Sequence, residues 1–304
     1  MPLLSRRTPA LAVSAMALER PAPLRAAPPS AGFFETCANP ACSTGWLHLL
    51  RSRSAPVFEN GWNCSAECTA ARLRTAVGRE MEGFQAASPG YRPRVPLGLL
   101  MLEQGWITPR QLRNALEAQK AAGGGKLGQW LVAREGIREE LVTRSLALQW
   151  SCPVLSLDPY NAEASAALLP RLFVDAFGAL PLRGTAGKLV YLGFEDRPDP
   201  VLALALERMT GIRVEGGVVQ DSLFRPAHQR MLKSVYPPAE LLEAATESAL
   251  VRALARLVER ARPSESRLVR VHDFLWLRLW LRPQAGSIPA AGEVRDVLCT
   301  LAGQ

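Results

Sequence analysis

Lysine is nearly missing from this 304-residue chain: it stands only at positions 120, 126, 188 and 233, and arginine supplies the rest of the 36 basic residues. Against 28 acidic residues this leaves a formal charge of +8. The arginines are dispersed, with no run of five or more, so the chain carries no basic tract of the kind that forms a nucleic-acid-binding tail, and the charge reads as solvated surface. Histidine is also scarce, at positions 48, 228 and 272, and no nucleophile–base constellation surrounds any of them, so catalysis is not expected. No apolar run reaches the roughly 18 residues that a membrane-spanning helix needs. Ser5-Arg6-Arg7 precedes an apolar stretch too short and interrupted to read as an export signal, so a cytoplasmic location is expected. Finally, the two Gly-Lys pairs, Gly125-Lys126 and Gly187-Lys188, are each followed by leucine and lack the spacing of a phosphate-cradling Gly-Lys-Ser/Thr loop, which excludes a P-loop nucleotidase within these residues.

What is present is a motif written twice. Residues 96–119 (PLGLLMLEQGWITPRQLRNALEAQ) and 126–149 (KLGQWLVAREGIREELVTRSLALQ) align without a gap at a 30-residue step. They share Leu97/Leu127, Gly98/Gly128, Ile107/Ile137, Leu116/Leu146 and Gln119/Gln149. Each unit reads as a short helix, a tight turn and a longer helix. Gly105 supplies the positive φ that ends the first helix, and Thr108-Pro109-Arg110-Gln111 is a capping box with proline at the first helical position. In the second copy the glycine shifts to Gly136 and Arg138 is a poor cap. Two such hairpins make either a plain four-helix packing unit or two equivalent half-sites for a symmetric ligand.

These residues resemble the paired motifs in the N-terminal domain of type II secretion and type IV pilus assembly ATPases. Leu97, Gly98, Met101, Leu102, Gly105, Ile107, Leu112, Leu116 and Gln119 match the first motif, and Lys126, Leu127, Gly128, Leu131, Val132, Ile137, Leu146 and Gln149 match the second. In that family the paired motifs can bind cyclic di-GMP, one motif for each half of the dinucleotide. The resemblance therefore implies Leu97, Gly98, Gln119, Lys126, Leu127, Gly128 and Gln149 as ligand residues. The chain departs from the pattern at Pro96, which stands where a basic side chain opens the motif. Arg94, two residues earlier, is the candidate substitute. Ala179 to Leu182, Gly187 to Gly193, Asp196 to Pro200, Thr210-Gly211 and Lys233 to Tyr236 resemble the small α/β portion that follows in the same family, so the likeness covers roughly residues 95–236.

A second constellation lies nearer the N-terminus. Cys37 and Cys42, then Cys64 and Cys68, have the spacing of four thiolates around a tetrahedral zinc ion, with the second pair one helical turn apart. A closed four-sulfur site is structural, because no position is left for water or substrate. Two disulfides or unligated thiols are the other readings. Trp46, Phe58 and Trp62 are expected to form the small core of this segment. Cys152 and Cys299 stand alone and read as buried apolar residues.

The expected architecture is an α+β multidomain chain: a disordered segment at 1–32, a four-cysteine zinc finger at 33–80, a linker at 81–94, a tandem helical-hairpin bundle at 95–152 and a small α/β domain at 153–236. The remaining part, 237–304, is expected to hold a helix from Ala239 to Ala261 and a β-hairpin, with His272-Asp273 as its two-residue turn. The function expected is that of a non-catalytic accessory protein. It senses cyclic di-GMP, or docks to a secretion or pilus component without binding nucleotide, or binds nucleic acid through Arg51, Arg53, Arg72 and Arg74 around the finger.

Overall fold

The computed structural model describes residues 36–43, 56–86, 94–158, 160–183, 189–283 and 290–302. Trp46, His48, Arg51, Arg53, Lys188 and the expected disordered segment lie outside the described residues.

A short hairpin, β1 (Val57–Phe58) and β2 (Gly61–Trp62), leads into the long helix α1 (Ala66–Ala86). The repeat then folds as two helical hairpins, α2 (Leu97–Glu103) with α3 (Pro109–Ala121), and α4 (Leu127–Glu135) with α5 (Glu139–Trp150). Gly105 ends α2 at φ +68°, and Thr108 and Gln111 close the expected capping box on α3. Gly136 ends α4 at φ +63°, while Arg138 makes no side-chain cap on α5, whose first turn instead carries Glu139 and Glu140. The hairpins pack crosswise, α3 against α4 and α2 against α5. Met101, Ile107, Ala115, Leu131, Ile137 and Val142 form the core, so the motif's shared apolar positions are mostly its interior. Leu116, although shared with Leu146 between the two copies, is exposed. A Cβ on Gly98 would stand 2.6 Å from Leu112 Cδ1, and one on Gly128 would stand 2.6 Å from Val142 Cγ1, which explains the repeated glycine as a close-approach position.

The following segment is a small α/β unit: α6 (Ala162–Ser165), α7 (Arg171–Ala176), β3 (Leu180–Arg183), β4 (Leu189–Phe194), α8 (Pro200–Thr210), β5 (Arg213–Val218) and α9 (Asp221–Leu232). β3 pairs antiparallel with β4, and β4 pairs parallel with β5 through α8. Asp199 caps α8 by accepting from the amides of Val201 and Leu202, and Gly211 ends it at φ +72°. The chain leaving α5 joins this sheet directly, since the Leu155 amide donates to the Val218 carbonyl at 2.8 Å.

The last region corrects the expectation. Residues 239–261 are not one helix: Ala239–Ala244 is strand β6, and helix α10 (Glu247–Ala261) starts from a Thr246 cap. β6, β7 (Glu265–Val271), β8 (Phe274–Trp280) and β9 (Val294–Leu301) form a four-stranded sheet in the order β6-β9-β8-β7. The hairpin between β7 and β8 turns on His272-Asp273 as expected, with His272 at φ +50°. Because side chains alternate along a strand, this sheet has two buried faces. Leu268, Leu275, Leu277, Leu279, Val297 and Cys299 pack with residues of α1 and α10, and Val269, Val271, Trp276, Trp280, Val294 and Leu298 pack on the small α/β unit.

The second correction concerns the domain boundary near residue 80. α1 continues through Ala86, into the stretch expected as linker, and its Leu73, Ala76 and Val77 are buried against the C-terminal sheet and α10. Phe58, expected in a separate finger core, belongs to the same cluster. Glu80 is buried and paired with Arg208 of α8, which ties α1 to the small α/β unit as well. The segment around the cysteines therefore shares one core with the end of the chain, and the 95–236 portion is inserted between the two. Arg278 is buried too; its Nε and Nη2 lie 2.7 and 2.8 Å from the two Asp296 carboxylate oxygens, and Nη1 donates to the carbonyls of Ala167 and Leu168. A buried ion pair with its remaining donors satisfied in this way is tolerated where an unpaired charge is not.

Candidate functional site

Each motif opens at the N-terminal end of a short helix, and the structure completes each opening with the end of the other motif. Gln119, at the end of α3, donates from Nε2 to the Gly125 carbonyl at 2.6 Å, beside Lys126 and the start of α4. Gln149, at the end of α5, donates from Nε2 to the Val95 carbonyl at 2.7 Å, beside Pro96 and the start of α2. Residues 95 and 125 are themselves one repeat apart, so the two contacts are equivalent. Leu97 and Leu127 reach across between the hairpins, each toward the other motif's glycine. The crosswise helix packing therefore builds two matched openings from residues that the repeat separates.

Their charges differ. At the first opening Pro96 takes the N-cap backbone position of Lys126 but offers no charge. Arg94 stands beside it: its Nη1 donates to the Gln149 carbonyl at 2.6 Å, and its guanidinium lies over the Trp150 indole, 3.9 Å from the ring centroid. Arg197, from the loop after β4, approaches the same ring at 5.3 Å. Among the described residues neither guanidinium is ion-paired. Two arginines around an indole make a cationic, flat-sided corner suited to a planar base or a phosphate.

At the second opening Lys126 keeps its ammonium but does not hold it free. Nζ lies 3.0 Å from Glu195 Oε1 and 3.0 Å from Asp196 Oδ2. Burial draws the Lys126 pKa down, but the bonds from these two carboxylates outweigh it and leave the net shift upward. Arg225 of α9 adds a further cation at 3.0 Å from Glu195, and itself pairs with Asp221. Gln129 of α4 donates to Asp221 as well, at 3.3 Å. Three carboxylates thus surround two cations, and this polar network clamps the helical hairpins to the small α/β unit. Glu139 strengthens the clamp by accepting from the Ser222 amide and from Gln220.

Of the residues expected from sequence, Arg94, Gln119, Lys126 and Gln149 present polar groups at the openings, and Leu97, Gly98, Leu127 and Gly128 shape them. Trp150, Arg197, Glu195 and Arg225 also stand at these openings, and the sequence reading did not name them. Trp150 carried a signal, an aromatic ring directly after the repeated glutamine where the first motif has Lys120. The other three come from the small α/β unit, and nothing in the motif points to them.

The cysteines converge as expected. The Sγ atoms of Cys37, Cys42, Cys64 and Cys68 all lie within 4.8 Å of one another, and both the Cys42–Cys64 and Cys64–Cys68 separations are 3.6 Å. That is far from the roughly 2.05 Å of a disulfide and close to the roughly 3.8 Å edge of a tetrahedron with metal–sulfur bonds of about 2.3 Å. None of the four forms a disulfide, Asn39 donates to Cys68 Sγ at 3.3 Å, and burial pushes the Cys37 thiol up, a cost that a cation would relieve. The donor set fits a soft metal ion. Arg72 is committed to the carbonyls of Phe58, Glu59 and Gly61 and does not present a basic surface. Cys299 is buried and its thiol is pushed up to about 12 by that burial, in keeping with a packing role. His272 pairs with Asp199 at 2.6 Å rather than with its neighbour Asp273, and it joins the hairpin turn to the cap of α8.

No family model matches the chain. Bacteriophage adsorption protein B of Escherichia coli is 30% identical over 151 residues, 48% of this chain and 19% of that protein. The type IV pilus assembly ATPase PilB of Thermus thermophilus is 34% identical over 135 residues, 43% of this chain and 15% of that protein. The chain thus spans less than a fifth of the length of these curated relatives. Among solved structures, MshE with cdg (cyclic di-GMP) is 26% identical at a TM-score of 0.36, covering 45% of this chain and 99% of that one. The N-terminal domain of XpsE is 18% identical at a TM-score of 0.30, covering 45% of this chain and 91% of that one. Among the described residues no helix is long and apolar enough to cross a membrane.

Proposed function

The chain carries a GspE/MshE N-terminal-type domain, and on that premise we propose that it is a non-catalytic regulatory protein that binds cyclic di-GMP across its two motif openings. The observation that carries this reading is the matched pair of crosswise contacts, Gln119 to Gly125 and Gln149 to Val95, which gives two equivalent sites for a ligand made of two equal halves. Arg94, Trp150 and Arg197 supply stacking and phosphate-binding groups at the first opening, in place of the basic residue that Pro96 displaces. The resemblance of the paired motifs to those that bind cyclic di-GMP makes this the ligand to try first. The partner regulated is then a component of a secretion or pilus assembly system.

The test is calorimetric titration of the full chain with cyclic di-GMP, with GTP and GMP as controls. Saturable binding at micromolar concentration or below, absent with the controls, is the expected result. No heat up to several hundred micromolar would reject the reading and leave a docking scaffold.

The four cysteines we assign to one structural zinc ion, since a closed set of four sulfurs suits zinc and leaves no open coordination position. In small fingers such binding is worth about 10–16 kcal/mol and is inseparable from folding. Here the metal would stiffen the start of α1, and through Leu73, Ala76 and Val77 it would support the C-terminal sheet. Elemental analysis should return one zinc per chain, and Cys64→Ser should remove it and lower the thermal unfolding midpoint. Metal-free protein with unchanged stability would reject the assignment.

A further inference from the structure

We infer that Glu195 gates the second opening: its carboxylate holds the Lys126 ammonium that an anionic ligand needs, so that removing this one charge strengthens ligand binding. The inference rests on the nucleotide reading above and concerns what sets its strength.

Geometry sets Glu195 apart from its neighbour. Both Glu195 and Asp196 reach Lys126 Nζ at 3.0 Å, but the Asp196 side chain is 47% exposed while that of Glu195 is 23% exposed. Glu195 is also held from the far side by Arg225 of α9, at 3.0 Å. It lies directly after β4, so its backbone is anchored by the sheet. A carboxylate fixed by two cations and a strand does not swing away into solvent as a free surface glutamate would. Burial pushes the Glu195 carboxyl up, yet the bonds from Lys126 and Arg225 prevail and hold it below its usual range, so it is ionised at neutral pH.

Charge counting gives the direction of the effect. Lys126 and Arg225 face Glu195, Asp196 and Asp221, three carboxyl groups against two cations, and burial together with the Glu195 contact pushes the Asp221 carboxyl up, a sign of crowded negative charge. A phosphate arriving at Lys126 meets that excess and must displace a carboxylate already in contact. Arg94 and Arg197, at the first opening, face no paired carboxylate among the described residues. Replacing Glu195 by glutamine keeps the shape of the side chain and removes its charge. The ammonium then keeps only the more exposed Asp196 as its carboxylate partner, which an arriving phosphate displaces more readily than the anchored Glu195.

The experiment is titration of the full chain, of Glu195→Gln and of Glu195→Ala with cyclic di-GMP, with thermal unfolding run on each to verify the fold. Both variants should bind about fivefold or more tightly than the parent, the scale of one partly screened charge contact. The gain should vanish when Lys126→Ala is added, because the two residues act on each other. If the parent binds and neither variant gains, the gate is rejected and the nucleotide reading stands. If the parent does not bind, the nucleotide reading fails and the gate with it.

Discussion

The two motif openings share backbone, glutamine contact and packing, and yet their polar chemistry is the reverse of what their opening residues imply. Pro96 marks the first as defective and Lys126 marks the second as intact. In the folded chain the first is the more cationic: Arg94 and Arg197 flank Trp150 with no carboxylate paired to either among the described residues. The second has its lysine held by Glu195 and Asp196. A motif residue therefore reports the charge it brings, while the neighbours brought by folding decide whether that charge is available.

The largest expected effect breaks the first opening. Arg94→Ala removes both the indole contact and a charge-assisted bond to the Gln149 carbonyl, and cyclic di-GMP affinity should fall by about tenfold or more. Titration calorimetry checks this, and affinity unchanged within error would show that the first opening does not contact the ligand. Next comes a stability difference between the two repeated glycines. At Gly128 a new Cβ meets Val142 Cγ1 at 2.6 Å, on a short and stiff β-branched side chain, so Gly128→Ala should destabilise by about 1–3 kcal/mol. At Gly98 the nearest atom is the flexible end of Leu112, so a small shift relieves most of the clash. Alanine's helix-propensity gain over glycine, up to roughly 1 kcal/mol and the same at both positions, then offsets what remains at Gly98 but not the stiffer clash at Gly128. Gly98→Ala should therefore be nearly neutral, and denaturant unfolding of the two variants would contradict this if both lost equally. The smallest effect is expected at Lys126→Ala. With its ammonium already neutralised, its loss should weaken cyclic di-GMP binding by no more than about threefold. A tenfold loss in the same titration would show that the lysine leaves its carboxylates in the bound state.

Much of the helical part was legible beforehand because its signals are local. Gly105, Thr108, Pro109 and Gln111 each act within one turn of chain, and the structure places them at the helix end and start expected of them. The same holds for the His272-Asp273 turn and for the convergence of the four cysteines. Strand β6 was not legible. Ala239 to Ala244 reads AELLEA, made only of good helix formers and running straight toward α10, yet it pairs with β9 more than fifty residues later. Nor could α1 be seen to cross the expected boundary, since its partners lie beyond the inserted 95–236 portion.

By itself the sequence determined the repeat, its caps and turns, most apolar positions of the helical core and the grouping of the cysteines that come together, because each depends on residue type at short and regular spacing. Tertiary structure alone decided that each opening is completed by the other motif, that residues 56–86 and the C-terminal sheet share one core, and that Glu195 lies against Lys126. These depend on contacts between residues tens to hundreds of positions apart, and such contacts leave no periodicity in the chain from which they can be read.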